Sequence, residues 1–211
     1  MDVVIAKEMM AYVAKQMVAS EPVLTKFDQT IGDGDHGIGM ERGFKAVQEL
    51  LADESYQPAD VSKLLLKIGS TMMATMGGAS GAIFGTLFRS GAKAIKGATE
   101  LNAETLSEFL SAGLQGVYER GGAKPGDKTM IDALVAAVKE SESRKGDLAE
   151  NLPAIAAAAQ QGVEATKDMI ATTGKAKTLG ERSLGHPDPG AVSMAFILQF
   201  MTEFATEQVT A

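Results

Sequence analysis

The apolar residues of this chain recur with a period close to 3.6 over almost its whole length. Val61, Leu65, Ile68 and Met72 step by four, three and four residues. Leu106, Phe109, Leu110, Gly113 and Val117 trace a second stripe, and Ile131, Leu134, Val135 and Val138 a third. A stripe of that period lies on one face of an α-helix, and several such faces must cover one another to leave water. The segment AVSMAFILQFMTEF is apolar on more than one side, which predicts a largely buried helix. No run alternates apolar and polar residues as a half-buried strand would. The expectation is an all-α protein.

Prolines mark where helices begin. Pro22 follows Ser20 and Glu21, Pro58 precedes ADVSKLLL, and Pro153 follows Asn151. Each predicts a helix start. Counted this way there are eight or nine helices, joined mostly by short loops. The 211 residues show no repeat and no low-complexity linker, so a single domain over residues 1–211 is expected.

Composition removes several classes of function. The chain has no cysteine, which excludes disulfides, thiolate catalysis and cysteine-held metals. A net charge of −7 without a basic stripe argues against nucleic acid and anionic membrane as partners. Asp2, Lys7 and Glu8 interrupt the apolar residues at the start, so no signal peptide is expected. No apolar run of about 18 residues is present to span a bilayer. The expected location is the cytoplasm.

The connection from Ala171 to Gly190, ATTGKAKTLGERSLGHPDPG, holds four glycines, two prolines and the cations Lys175, Lys177 and Arg182. Structureless loops of this length are uncommon in compact domains, and this one is expected to be a functional lid, with a plain surface loop as the alternative.

Three stretches carry chemistry. In TIGDGDHGIGMERGF, Gly32, Gly34 and Gly37 spell the dinucleotide fingerprint, but a helix is expected before it and carboxylates fill it. An EF-hand fails because Phe44 stands where a bidentate glutamate is needed. Asp28, Asp33 and Asp35 are three carboxylates within eight residues, on a turn that glycines allow to fold back. Converging carboxylates repel unless protonated or bound to metal, and oxygen ligands select Mg²⁺ or Ca²⁺. Mg²⁺ leaves coordination positions for phosphate oxygens. Asx-turns and a helix cap are the alternative reading of the same spacing.

The second stretch, TMGGASGAIFGTLF, places Gly77, Gly78, Ala79, Ser80 and Gly81 ahead of an apolar helix. That is either an anion site of exposed N–H groups or close helix packing. In the third, HPDPGA, Asp188 and Gly190 open the final helix around Pro189, with plain N-capping as the alternative. GGAKPGDKT nearly spells a P-loop, but Asp127 intrudes before the lysine. His36 and His186 have no third histidine for a zinc site and are expected in loops or behind the ligands.

IGDGDHGIGMERGF, GGASGAIFGTLF, GGAKPGDKTMIDAL and LGERSLGHPDPGA occur in that order. Together they resemble the nucleotide-binding L subunit of bacterial dihydroxyacetone kinase, over about Lys26 to Glu203. The resemblance implies a closed barrel of about eight antiparallel helices with the nucleotide on the loops at one end. It implies two Mg²⁺ ions held by Asp28, Asp33 and Asp35. It places His36, Gly37, Ile38, Gly39, Ala79 and Ser80 around the phosphates of ADP or ATP, and Gly121 and Met130 around the nucleoside. Lys175, Asp188, Pro189 and Gly190 would close the site. Gly39 stands where asparagine is common in the family, and Lys175 where arginine is usual.

The family has two working modes. In one, a phosphohistidine-bearing M subunit phosphorylates resident ADP, and the γ-phosphoryl passes to dihydroxyacetone on a separate K subunit. In the other, K and L are fused and ATP exchanges freely. The phosphotransferase mode is favoured here, since the chain shows no second domain to hold the ketose. An ATP-dependent two-subunit kinase for another short ketose, a non-enzymatic Mg-nucleotide regulator and a phosphocarrier role for His36 are the alternatives. Pairing of two copies is left open.

Overall fold

The computed structural model describes residues 1–210, with side chains described through residue 207. Its regular elements are α-helices: α1 (Val3–Ala19), α2 (Glu21–Ile31), α3 (His36–Ala52), α4 (Val61–Thr75), α5 (Gly78–Ala94), α6 (Ala103–Gly121), α7 (Met130–Glu142), α8 (Leu148–Ala165) and α9 (Pro189–Thr210), with short 3-10 turns at Thr166–Asp168 and Lys175–Ser183. Among the described residues there is no strand, only an isolated bridge between Asp2 and Glu100. No described helix is long and apolar enough to cross a membrane.

The predicted stripes are the buried faces. Val61, Leu65, Ile68 and Met72 of α4 are buried, as are Leu106, Phe109, Leu110 and Val117 of α6. Phe88 of α5 meets Phe109 edge-on, with ring centroids 5.5 Å apart. Packing runs in a circuit: α3 on α4, α4 on α5, and so on through α6, α7, α8 and α9 to α1, which returns to α3. Eight helices close the circuit, and α2, only 11 residues long, leans on α3 and α9. In α9, Ala191, Val192, Met194, Ala195, Ile197 and Leu198 are all buried, so more than one face is covered, as its composition predicts.

Two boundaries differ from the expectation. Pro153 does not begin a helix but lies inside α8. The Asp147 carboxylate accepts from the N–H groups of Ala149 and Glu150, and Leu148 and Leu152 are buried, so the start moves upstream. The 171–190 connection is not structureless either. It winds into 3-10 turns over Lys175–Ser183, broken at Gly180, whose φ is 55°.

The caps show where the fold is left open. Side chains cap α1 (Asp2), α4 (Asp60), α6 (Asn102), α7 (Thr129) and α8 (Asp147). The starts of α3 and α5, at Asp35 and Gly77, have no side-chain hydrogen bond from their N-cap residues. Both belong to the glycine-rich stretches singled out above.

Candidate metal and nucleotide site

Asp28 sits in the last turns of α2, buried to 9% exposure, while Asp33 and Asp35 stand exposed on the turn to α3. Each offers an oxygen, and these oxygens lie within 4.8 Å of one another. Asp28 Oδ2 also accepts from the His36 backbone N–H at 3.1 Å, so this carboxylate caps α3 from the neighbouring helix. Gly32 makes the arrangement possible. A Cβ there would run into the Asp28 carboxylate, so a side chain would displace the aspartate. Asp35, the positional N-cap of α3, makes no side-chain cap bond, which leaves its carboxylate to face the cluster. A compact set of carboxylate oxygens suits a hard cation such as Mg²⁺.

Lys175, from the long connection, places its ammonium on Asp33 Oδ2. This contact holds the Asp33 carboxyl below the usual carboxylate range, against the desolvation that would raise it. The same contact raises the lysine.

His36, the first residue of α3, joins three helices. Its Nδ1 shares a 3.1 Å hydrogen bond with Ser80 Oγ of α5, and its Nε2 a 2.7 Å bond with Ser193 Oγ of α9. Burial pushes its pKa down, against the pull of Asp28 and Asp35. Gly37 and Gly39 follow it on α3, and Ile38 between them is 51% exposed.

At the start of α5, Gly77 has φ 75°, a conformation that glycine adopts without strain. Arg42 of α3 fixes the chain just before it: Nε donates to the Thr75 carbonyl at 2.8 Å and Nη2 to that of Met76 at 2.5 Å. Ala79 and Ser80 are thereby presented in the first turn of α5, beside His36.

The remaining predicted residues lie at the ends of α6, α7 and α9. A Cβ on Gly190 would stand 3.4 Å from Met130 Cβ, so the starts of α7 and α9 touch. Gly121, at the end of α6, has Ile83 of α5 as its neighbour. Asp188 caps α9 through a 2.7 Å bond from Ala191 N–H, and Pro189 is buried. Burial pushes the Asp188 carboxyl up to about 7. Asp188 thus makes the N-cap that is the alternative reading of this stretch, and Gly190 packs between its carboxylate and Met130.

Three contributors were not legible beforehand. Ser193 is fully buried and would look like any small residue on an apolar helix, although it lies one turn beyond Pro189. Arg42 carries no signal, because its acceptors are backbone carbonyls 33 and 34 positions away. Lys128, the lysine of the near-miss P-loop, turns inward.

Eight helices packed in a closed circuit, with a group of carboxylate oxygens on the turn between α2 and α3, define an all-α class of protein. The chain belongs to the DAK2 domain family, whose model matches residues 30–203. It is 39% identical over 187 residues to the PEP-dependent dihydroxyacetone kinase, ADP-binding subunit DhaL, of Escherichia coli (strain K12), covering 87% of this chain and 88% of that one. It is 40% identical over 184 residues to the corresponding ADP-binding subunit DhaL of kinase 1 from Listeria innocua, with 87% of each covered. The crystal structure of dihydroxyacetone kinase from C. freundii in complex with AMP-PNP and Mg²⁺ superposes with a TM-score of 0.72 at 26% identity over 93% of this chain. The chain spans about a third of the length of that kinase, 33%.

Proposed function

We propose that this chain, read as one domain over residues 1–211, is the ADP/ATP-binding subunit of a phosphotransferase-dependent dihydroxyacetone kinase. The observation that carries the reading is the convergence of Asp28, Asp33 and Asp35 at the start of α3. The E. coli and Listeria relatives named as ADP-binding subunits match along 88% and 87% of their length, which supports the reading.

In this reading the three aspartates hold two Mg²⁺ ions, which offset phosphate charge during phosphoryl transfer. The stretch His36, Gly37, Ile38 and Gly39 and the pair Ala79 and Ser80 meet the phosphates at two positive helix ends, with the His36 and Gly39 N–H groups held by Asp28 and the Asp35 carbonyl. Met130 and Gly190 flank the nucleoside, with Gly121 across from them. The Lys175 segment closes the site and excludes water. Lysine brings charge there without the two-pronged grip of an arginine. His36 serves as a positioning group: both ring nitrogens are engaged by serines, which speaks against a phosphohistidine.

The partners are a K-type subunit holding dihydroxyacetone and an M-type phosphohistidine donor, in the cytoplasm. Resident ADP becomes ATP, and its γ-phosphoryl passes to the ketose. At an association rate of about 10⁶ M⁻¹s⁻¹, nanomolar affinity gives release on the order of 10⁻³ s⁻¹. Turnover near 10 s⁻¹ is typical, so ADP stays through many cycles. The test loads the protein with labelled ADP and follows label release during turnover with both partners and excess unlabelled ATP. Retained label over many turnovers is expected. Release of one label per turnover contradicts the cofactor mode and leaves an ordinary ATP-dependent kinase subunit.

A further inference from the structure

Lys128 combines two unfavourable features. It is 2% exposed, the one buried lysine among the described residues. It is also the one described non-glycine residue with positive φ, at 60°. Side chains disfavour that conformation, and an ammonium resists leaving water. Its surroundings show what holds it. Nζ donates to the carbonyl of Thr166 and to that of His186, both at 2.5 Å. The first carbonyl closes α8, and the second belongs to the turn that leads into α9. Burial lowers the lysine's pKa, while Asp188, Asp132 and Asp168 pull it back up.

The neighbours of Lys128 are tied to the same two elements. Thr166 Oγ1 accepts from Asp188 N–H at 2.9 Å, and the Lys167 carbonyl accepts from Gly185 N–H at 2.8 Å. Asp132 of α7 accepts from the N–H groups of Gly126 and Thr129 at 2.6 and 2.8 Å, which fixes the loop carrying Lys128. Met130 follows Lys128 by two residues, Asp188 follows His186 by two, and Met130 touches Gly190. One ammonium thus ties the loop before α7 to the end of α8 and to the turn before α9.

We infer that Lys128 is a positioning residue for the nucleoside side of the site, fixing the Gly185–Gly190 turn against the start of α7. The inference rests on the nucleotide-binding reading above. Lys128 touches no phosphate in it, so its loss separates two halves of the ligand. ADP, which needs the nucleoside side, should weaken, whereas pyrophosphate with Mg²⁺, which needs only the aspartates and the helix starts, should not.

The chain has no cysteine, so Lys128→Cys introduces its sole thiol. Aminoethylation of the unfolded variant, followed by refolding, restores an ammonium at lysine's reach. Calorimetry in Mg²⁺ should show ADP bound about tenfold more weakly by Lys128→Cys, pyrophosphate unchanged, and ADP affinity regained on aminoethylation. If Lys128→Cys does not refold, Thr166→Val, which removes the hydroxyl that accepts from Asp188, should show the same selective loss. Unchanged ADP affinity, or equal loss of ADP and pyrophosphate, overturns the positioning role. Failure of the unaltered protein to bind Mg–ADP at all overturns the nucleotide reading together with it.

Discussion

The Lys175 ammonium rests on the Asp33 carboxylate although 142 positions of sequence separate them. A single contact thus fastens the long connection before α9 to the turn that carries the carboxylate cluster. Both side chains are well exposed, 71% for Lys175 and 40% for Asp33, and exposed pairs contribute little to global stability. Its consequence should be local. Lys175→Met is expected to leave the unfolding midpoint nearly unchanged while amides of residues 171–190 exchange faster. Hydrogen exchange read by mass spectrometry checks this, and equal exchange in the two proteins would detach the segment from Asp33.

The three aspartates should separate by phenotype. Asp28 is buried and also accepts the His36 N–H, so Asp28→Ala should cost about 1 kcal/mol of stability in addition to ligand binding. Asp33 and Asp35 are exposed on the turn, so Asp33→Ala and Asp35→Ala should unfold at nearly the parental urea midpoint. All three should lose ADP affinity in Mg²⁺ by about a hundredfold or more, since oxygen ligands have no substitute nearby. Urea unfolding beside calorimetry gives both numbers. An exposed aspartate that can be removed with ADP affinity intact does not belong to the metal site.

Gly32→Ala isolates geometry from charge. Gly32 has extended backbone, so alanine brings no conformational strain, but its methyl would occupy the place of the Asp28 carboxylate. Mg²⁺-dependent ADP binding should fall about as far as in Asp28→Ala, with every carboxylate still present. Binding at the parental level would show that Asp28 is not needed where it stands.

The helices were legible because burial of a 3.6-period stripe is a local pattern, and Val61 to Met72 states it within twelve residues. The aspartates were legible as a group for the same reason: they are close in sequence, and glycines announce the turn. The start of α8 was misplaced because Pro153 is tolerated inside the helix once Asp147 caps it upstream. The joins between distant elements could not be read. Ser193 reaches His36 across 157 positions, and Lys128 reaches backbone carbonyls that carry no sequence identity. Acceptors of that kind leave no mark in the order of residues.

Asp188 sets a pH dependence. Its folded pKa, about 7, lies above the ordinary 3.8, because burial disfavours the charged form. The folded state therefore binds this proton more tightly than the unfolded state does. The resulting stabilisation is full below about pH 4 and is lost as pH rises to about 7. Asp188→Asn keeps a capping oxygen and removes the titration. The stability of Asp188→Asn relative to the parent should rise across that window, by up to about 1.4 kcal/mol per pH unit, and level off outside it. Urea unfolding from pH 4 to 8 measures the difference. A difference independent of pH would place the carboxyl in the ordinary range.

The most direct measurement is ADP binding to the unaltered protein with Mg²⁺ and then with the metal chelated. Asp28, Asp33 and Asp35 present only negative charge to a negative ligand, so they can favour ADP only through a cation. Calorimetry should give tight, near-stoichiometric ADP binding in Mg²⁺, weakened about a hundredfold or more by chelation. ADP affinity that is the same with and without Mg²⁺ would contradict a metal-mediated nucleotide site on these carboxylates.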